Sequence, residues 1–167
     1  MTIAEILLLD FDAEVQNTRR TLERLPNDRG DWKPHEKSMA MGRLAVHVAR
    51  LPHFGEDILS TDSMNLATVT FPPLIWEGQA KALELLEATT SSLRTRLSSM
   101  SDDELTTVWS MSFGEQLIAS APRVQLYRTL FFNHLLHHRA QLGVYLRLLN
   151  EKVPGLYGPS ADEPLGG

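Results

Sequence analysis

The chain has 167 residues, 43% of them apolar and 22% charged, which predicts one soluble domain with a single core and excludes bulk disorder. Sixteen Lys and Arg against twenty-one Asp and Glu leave a formal charge of −5, which repels a phosphate backbone and argues against unspecific nucleic-acid binding. With no cysteine, disulfides, thiolate metal sites and a cysteine nucleophile are excluded, so any metal must be held by His, Asp or Glu.

Ile3, Leu7, Phe11, Val15, Thr18, Leu22 and Leu25 share one face at three- and four-residue spacing, predicting a first amphipathic helix over 3–25, stopped by Pro26. The longest apolar run, Ile6 to Leu9, is far short of the ~20 residues of a membrane span. Glu5 and Asp10 stand where a secretory leader carries basic residues. The chain thus reads as cytoplasmic, without a membrane partner. Asn27 to Lys37, with Gly30, Pro34 and many charges, reads as a connection anchored by Trp32, and Ser38 is the expected N-cap of the next helix. Ala40, Leu44, His47, Leu51, Phe54 and Ile58 form the stripe of helix two, about 39–60, with a kink expected at Pro52.

Thr61 to Leu74 is polar and ends in Pro72 and Pro73. Fully extended it reaches ~45 Å against the ~30 Å of a twenty-residue helix, so helices two and three are free to run parallel. Helix three is predicted over 75–100, carrying Leu83, Leu86, Leu93, Leu97 and Met100, after which Ser101 begins a new cap. Val108 to Ser120 places Trp109, Met111, Phe113, Leu117 and Ile118 around Gly114, compatible with either a small hairpin or an irregular loop. Helix four opens at Pro122 and runs to about Asn150. The Pro- and Gly-rich remainder is not regular structure. The domain is therefore expected over 1–153, with a tail over 154–167 packed on it through Leu156 and Tyr157 and frayed from Pro164.

On helix four, Tyr127, Phe131, His134, His138, Leu142, Tyr145 and Leu149 fall within a face about 80° wide. His134 and His138 are one turn apart, the spacing at which two imidazoles converge on one ion. Gln141 lies on the same face, whereas His137 is displaced by about 60°. His47 interrupts the stripe of helix two and offers a third imidazole. Each of the three is open to the plainer reading of a hydrogen-bonded core histidine. Three buried and unpartnered histidines would each cost about 1–3 kcal/mol, a cost that one shared cation removes. His35 and His53 read as solvated. Leu135 stands where a zincin carries its glutamate base, so that mechanism is absent.

Trp32-Lys33-Pro34-His35-Glu36-Lys37-Ser38 followed by Leu44-Ala45-Val46-His47, the run Asn133-His134 through His138-Arg139-Ala140-Gln141-Leu142, Val144-Tyr145-Leu146-Arg147, and the ending Val153 to Glu163 together resemble a DinB-like protein. The resemblance covers nearly the whole chain and is most specific in helix four and the tail. It implies an all-α four-helix bundle of up-down-down-up order, usually a homodimer, holding a divalent metal on one histidine of helix two and the HxxxH pair of helix four. Carried onto this sequence, the ligands are His47, His134 and His138. The family's usual glycine before the glutamine is Ala140 here. Several members are thiol-dependent transferases or isomerases, and the family name records DNA-damage induction.

The expected function is a metal-dependent enzyme activating a low-molecular-weight thiol, or water, toward a small-molecule substrate. Three neutral imidazoles leave an ion open positions and suit Zn or Ni better than Mg or Ca. Glu14 is the one carboxylate near the inner face of helix one, and with Gln141 it is a candidate supporting residue. The competing reading is a non-catalytic stress-response or binding module in which a metal or a histidine network holds the helices together. Trp76, Trp109 and Phe113 are more aromatic surface than a small core must absorb, which lends support to a homodimer.

Overall fold

The computed structural model describes residues 1–164. The chain is mostly helical, with helices α1 (Ile3–Leu22), α2 (Met41–Ser60), α3 (Gln79–Ser98), the short α4 (Asp102–Thr106), α5 (Arg123–Leu126) and α6 (Asn133–Leu148). A π-helical turn, Tyr127–Phe132, joins α5 to α6. Strands β1 (Ser63–Asn65), β2 (Val108–Phe113) and β3 (Gln116–Pro122) form a sheet of order β1-β2-β3. The fold is therefore not all-α. In β2, Trp109 and Met111 point inward and Val108 outward, the two-residue alternation of a strand with one wet face, until an irregularity between Met111 and Ser112 breaks the phase and leaves Phe113 exposed. Gly114, at φ 59°, supplies the left-handed residue that closes the hairpin with β3. The partner that turns this hairpin into a sheet is β1, in parallel register Met64↔Met111, and it comes from the connection after α2.

Local chemistry sets the helix ends. Thr2 and Glu5 form a capping box at α1, as do Ser101 and Glu104 at α4. The expected cap Ser38 is not used: α2 starts after Ala40, and runs without a break through Pro52. α3 starts at Gln79 instead of 75, because Trp76 docks elsewhere and Gly78 takes φ 104°. A Cβ on Gly42 would lie 2.4 Å from Cγ of Trp76, so the indole is seated on bare α2 backbone. Trp109 is fully buried and donates from Nε1 to Thr61 Oγ1 at 3.0 Å. Of the three aromatic residues read as surplus surface, only Phe113 is exposed.

The long helices enclose one core, in which α1 packs on α3 and α6, and α2 on α3 and α6. Phe11, Leu44, Ile58, Leu93, Phe131 and Leu142 fill it, each fully or almost fully buried. Gly55 lets α2 approach the π turn closely, since a Cβ there would lie 2.7 Å from the Phe131 ring. Two arginines close the C-terminal end of α2, where carbonyls lack intrahelical partners. Arg123 donates to Ile58 O at 2.6 Å and to Thr61 O, and Arg96 donates to Leu59 O at 2.8 Å.

The C-terminal segment lies against α1 and α6. Glu163 receives Arg20 at 2.5 Å and Arg24 at 2.7 Å, and Asp162 receives Arg147 at 2.6 Å. Leu156 lines a cavity between the segment and the helices, and the Tyr157 hydroxyl reaches Glu14 at 2.8 Å although its ring stays exposed. The frayed end expected from Pro164 onward falls, apart from Pro164, outside the described residues.

Candidate metal centre

His47 stands in the middle of α2, between buried Leu44 and Leu51, and His134 and His138 stand one turn apart at the start of α6. α2 packs on both α6 and the π turn, which turns the three side chains toward one another. Their rings lie 5.1 Å (His47–His134), 4.8 Å (His47–His138) and 4.6 Å (His134–His138) apart between centroids. One nitrogen from each falls within 4.8 Å of the others, and the Nε2 atoms of His47 and His134 are 3.4 Å apart. That is the donor arrangement of a three-histidine site with coordination positions left for solvent or substrate.

Burial first, and the neighbouring imidazoles second, disfavour the protonated forms of His47 and His134. The His47 pKa is lowered to about 4, first by burial and then by the fields of His138, His134, Arg50 and Arg43. His134 is also lowered, first by burial and then by His138, against an opposing hydrogen bond to the Leu130 carbonyl in the π turn. At neutral pH the His47 and His134 lone pairs need no proton removed before they can bind a cation.

Gln141, expected on the same face, places its Oε1 2.7 Å from Nδ1 of His138. A proton on Nδ1 leaves the Nε2 lone pair of His138 free. The same amide presents Nε2 to His137 Nε2 at 3.2 Å, so His137 joins the supporting network and not the triad. His35 and His53 are exposed, and His53 sits 3.7 Å from Glu56.

Glu14 does not serve the histidines. Its carboxylate is bound by the buried Arg139 and by the Tyr157 hydroxyl, beside a different cavity. Arg139, 2% exposed, also donates to Glu14 O at 3.2 Å and to Tyr157, and its guanidinium lies 5.4 Å from the Tyr157 ring centre. The sequence reading missed this arginine, although it sits at helical spacing between the buried Leu135 and Leu142. It also missed Arg50 and Asp57, which with His47 and His134 line a cavity of about 580 Å³ between α2 and the connection after it.

A mostly helical protein with three inward histidines on two helices is the class that fold and site define. The DinB family model matches residues 2–165, and the chain belongs to the DinB family. Among solved structures it is similar to a DinB-like protein from Bacillus cereus ATCC 10987, with TM-score 0.69 and 21% identity over 93% of this chain and 98% of that one. A DinB-like protein from Bacillus subtilis gives TM-score 0.69 and 18% identity over 89% and 95%. A search of curated proteins finds no match. Among the described residues no helix is long and apolar enough to cross a membrane.

Proposed function

We propose that this protein is a metal-dependent enzyme that holds a divalent transition ion, zinc or nickel, on His47, His134 and His138. The observation that carries the reading is that two of these histidines face a cavity of about 580 Å³ instead of being sealed in the core. A closed structural site would have no use for that opening. A divalent ion bound there makes a coordinated thiol or water more acidic, which is the chemistry such a centre supplies. The chain's part is to present three imidazole nitrogens, to orient His138 through Gln141, and to give the substrate an apolar wall.

Thiol transfer is favoured over hydrolysis, because hydrolysis needs a carboxylate near the ion to steer water. Glu14 is occupied by Arg139 and Tyr157. Asp57 lies ten residues from His47 on the same helix, about 15 Å along its axis. The second reading, a metal or histidine network that only holds the helices together, draws on the 3.4 Å approach of His47 to His134. The contacts of α1, α2, α3 and α6 support a four-helix bundle, for which an up-down-down-up order, a homodimer and a cytoplasmic location are part of the proposal.

The test is elemental analysis of protein purified without chelator, followed by an activity screen of the metal-loaded protein against a panel of low-molecular-weight thiols and electrophiles. Thiol-dependent turnover abolished by chelator is the expected outcome. A metal-loaded protein that melts far higher than the chelated one, yet neither turns over nor binds any thiol, supports the second reading. Absence of metal uptake on titration defeats both metal readings.

A further inference from the structure

The cavity beside the histidines carries charge in a pattern that selects its occupant. We propose that it takes a small molecule bearing one anionic group, a carboxylate, on an apolar body, with the anion held by Arg50 and the apolar body directed toward Asp57. This inference deepens the proposed function and rests on it for the chemistry at the histidines. The Arg50 seat itself stands on separate observations.

Arg50 follows His47 by one helical turn, is half-buried, and lines the same cavity. Its Nη1 donates to the Pro72 carbonyl, which fixes the side chain against the connection, and among the described residues Nε and Nη2 have no partner. Among the described residues no carboxylate pairs with it, and burial pushes its pKa down with no acidic neighbour opposing. A cation in such a place gains from an incoming carboxylate that a guanidinium binds in two-pronged fashion. Leu51, Phe54, Met64, Val69, Phe71 and Met111 give the wall its apolar surface, and Thr61, Ser63, Asn65, Thr68, Thr70 and His53 add uncharged polar groups and one imidazole. An apolar surface interrupted by placed polar groups is the usual make-up of a small-molecule site.

Asp57 lies seven residues beyond Arg50 on α2, two turns along nearly the same side and about 10 Å away. Its carboxylate makes no hydrogen bond or ion pair among the described residues, and burial raises its pKa while His53, which lines the same cavity, opposes the rise. A second anion at that end meets repulsion in a low-dielectric pocket, so the site prefers a monocarboxylate over a dicarboxylate of equal length.

The probes are octanoate and octanedioate, titrated into the full chain by calorimetry or by NMR of the histidine and methionine signals, once zinc-loaded and once after chelator treatment. Octanoate is expected to bind saturably in both forms and at least tenfold more tightly than octanedioate. Arg50→Gln is expected to weaken octanoate at least tenfold with zinc stoichiometry unchanged, and Arg50→Lys, which keeps the charge, to retain part of the binding. Asp57→Asn is expected to bring octanedioate to within threefold of octanoate. No octanoate binding by the unmodified chain, or equal binding by Arg50→Gln, overturns the Arg50 seat. Equal binding of the two probes by the unmodified chain overturns the role of Asp57. Zinc uptake is read separately: its failure alone ends the metal reading, and octanoate binding to the chelated chain then still decides for or against Arg50.

Discussion

His138 Nδ1 and Gln141 Oε1 meet at 2.7 Å, one turn apart on α6, so the glutamine sets which nitrogen of the histidine carries the proton. With Nδ1–H donating to the amide oxygen, the Nε2 lone pair of His138 is left available to a metal shared with His47 and His134. The amide's other end rests on His137. Gln141→Leu is expected to lower metal affinity about 10- to 100-fold while leaving the helical content intact, measured by competition with a chromogenic chelator. Affinity unchanged in that variant would remove Gln141 from the centre.

The histidines separate by position. His134→Ala and His138→Ala are each expected to abolish tight metal binding and His47→Ala to weaken it severely, whereas His137→Ala should leave the metal-to-protein ratio nearly unchanged. Elemental analysis after gel filtration gives the ratio. Binding that survives loss of His138 but not of His137 would contradict the observed convergence.

The metal-free protein should lose stability with acid in a defined window. His47 has its pKa lowered in the fold to about 4, against about 6.5 in an unfolded chain. Below pH 6.5 the unfolded state therefore binds the extra proton first. The stability contribution is fully present above that pH, falls as pH drops toward about 4, and changes no further below it. Denaturant midpoints of chelated protein across this range should show the slope, and His47→Gln should flatten it.

Arg139 and Glu14 form a buried pair, the arginine 2% and the glutamate side chain 12% exposed. Arg139→Met strands the carboxylate and is expected to cost about 3–5 kcal/mol, read from urea unfolding. Tyr157→Phe removes the hydroxyl's bond to Glu14 and the one it accepts from Arg139, both at the exposed edge, and should cost about 1–2 kcal/mol. If both cost the same, the pair is not the dominant interaction there.

Tyr127 is fully buried and its hydroxyl has no hydrogen-bond partner among the described residues. Tyr127→Phe should leave stability unchanged or raise it by up to about 1 kcal/mol, since the desolvated hydroxyl is removed without a cavity. A clear loss in thermal melting would reveal a partner for that hydroxyl.

Helical periodicity by itself determined the four long helical segments and put His134 and His138 on one face, because a 3.6-residue repeat depends only on local backbone geometry. The same repeat placed His47 on the inner stripe of α2 and Gln141 one turn beyond the pair. It left Val108 to Ser120 between hairpin and loop, because β1, which pairs with β2, lies more than forty residues earlier and its pairing is non-local. It also could not assign Glu14. A carboxylate near a helix's inner face serves whichever cation the packing brings, and here that cation is Arg139. The cavity with Arg50 and Asp57 exists only because the connection after α2 folds back over that helix and is held by Arg50 at Pro72. Such a surface is set by which segments meet in space, a relation that spacing along one helix does not contain.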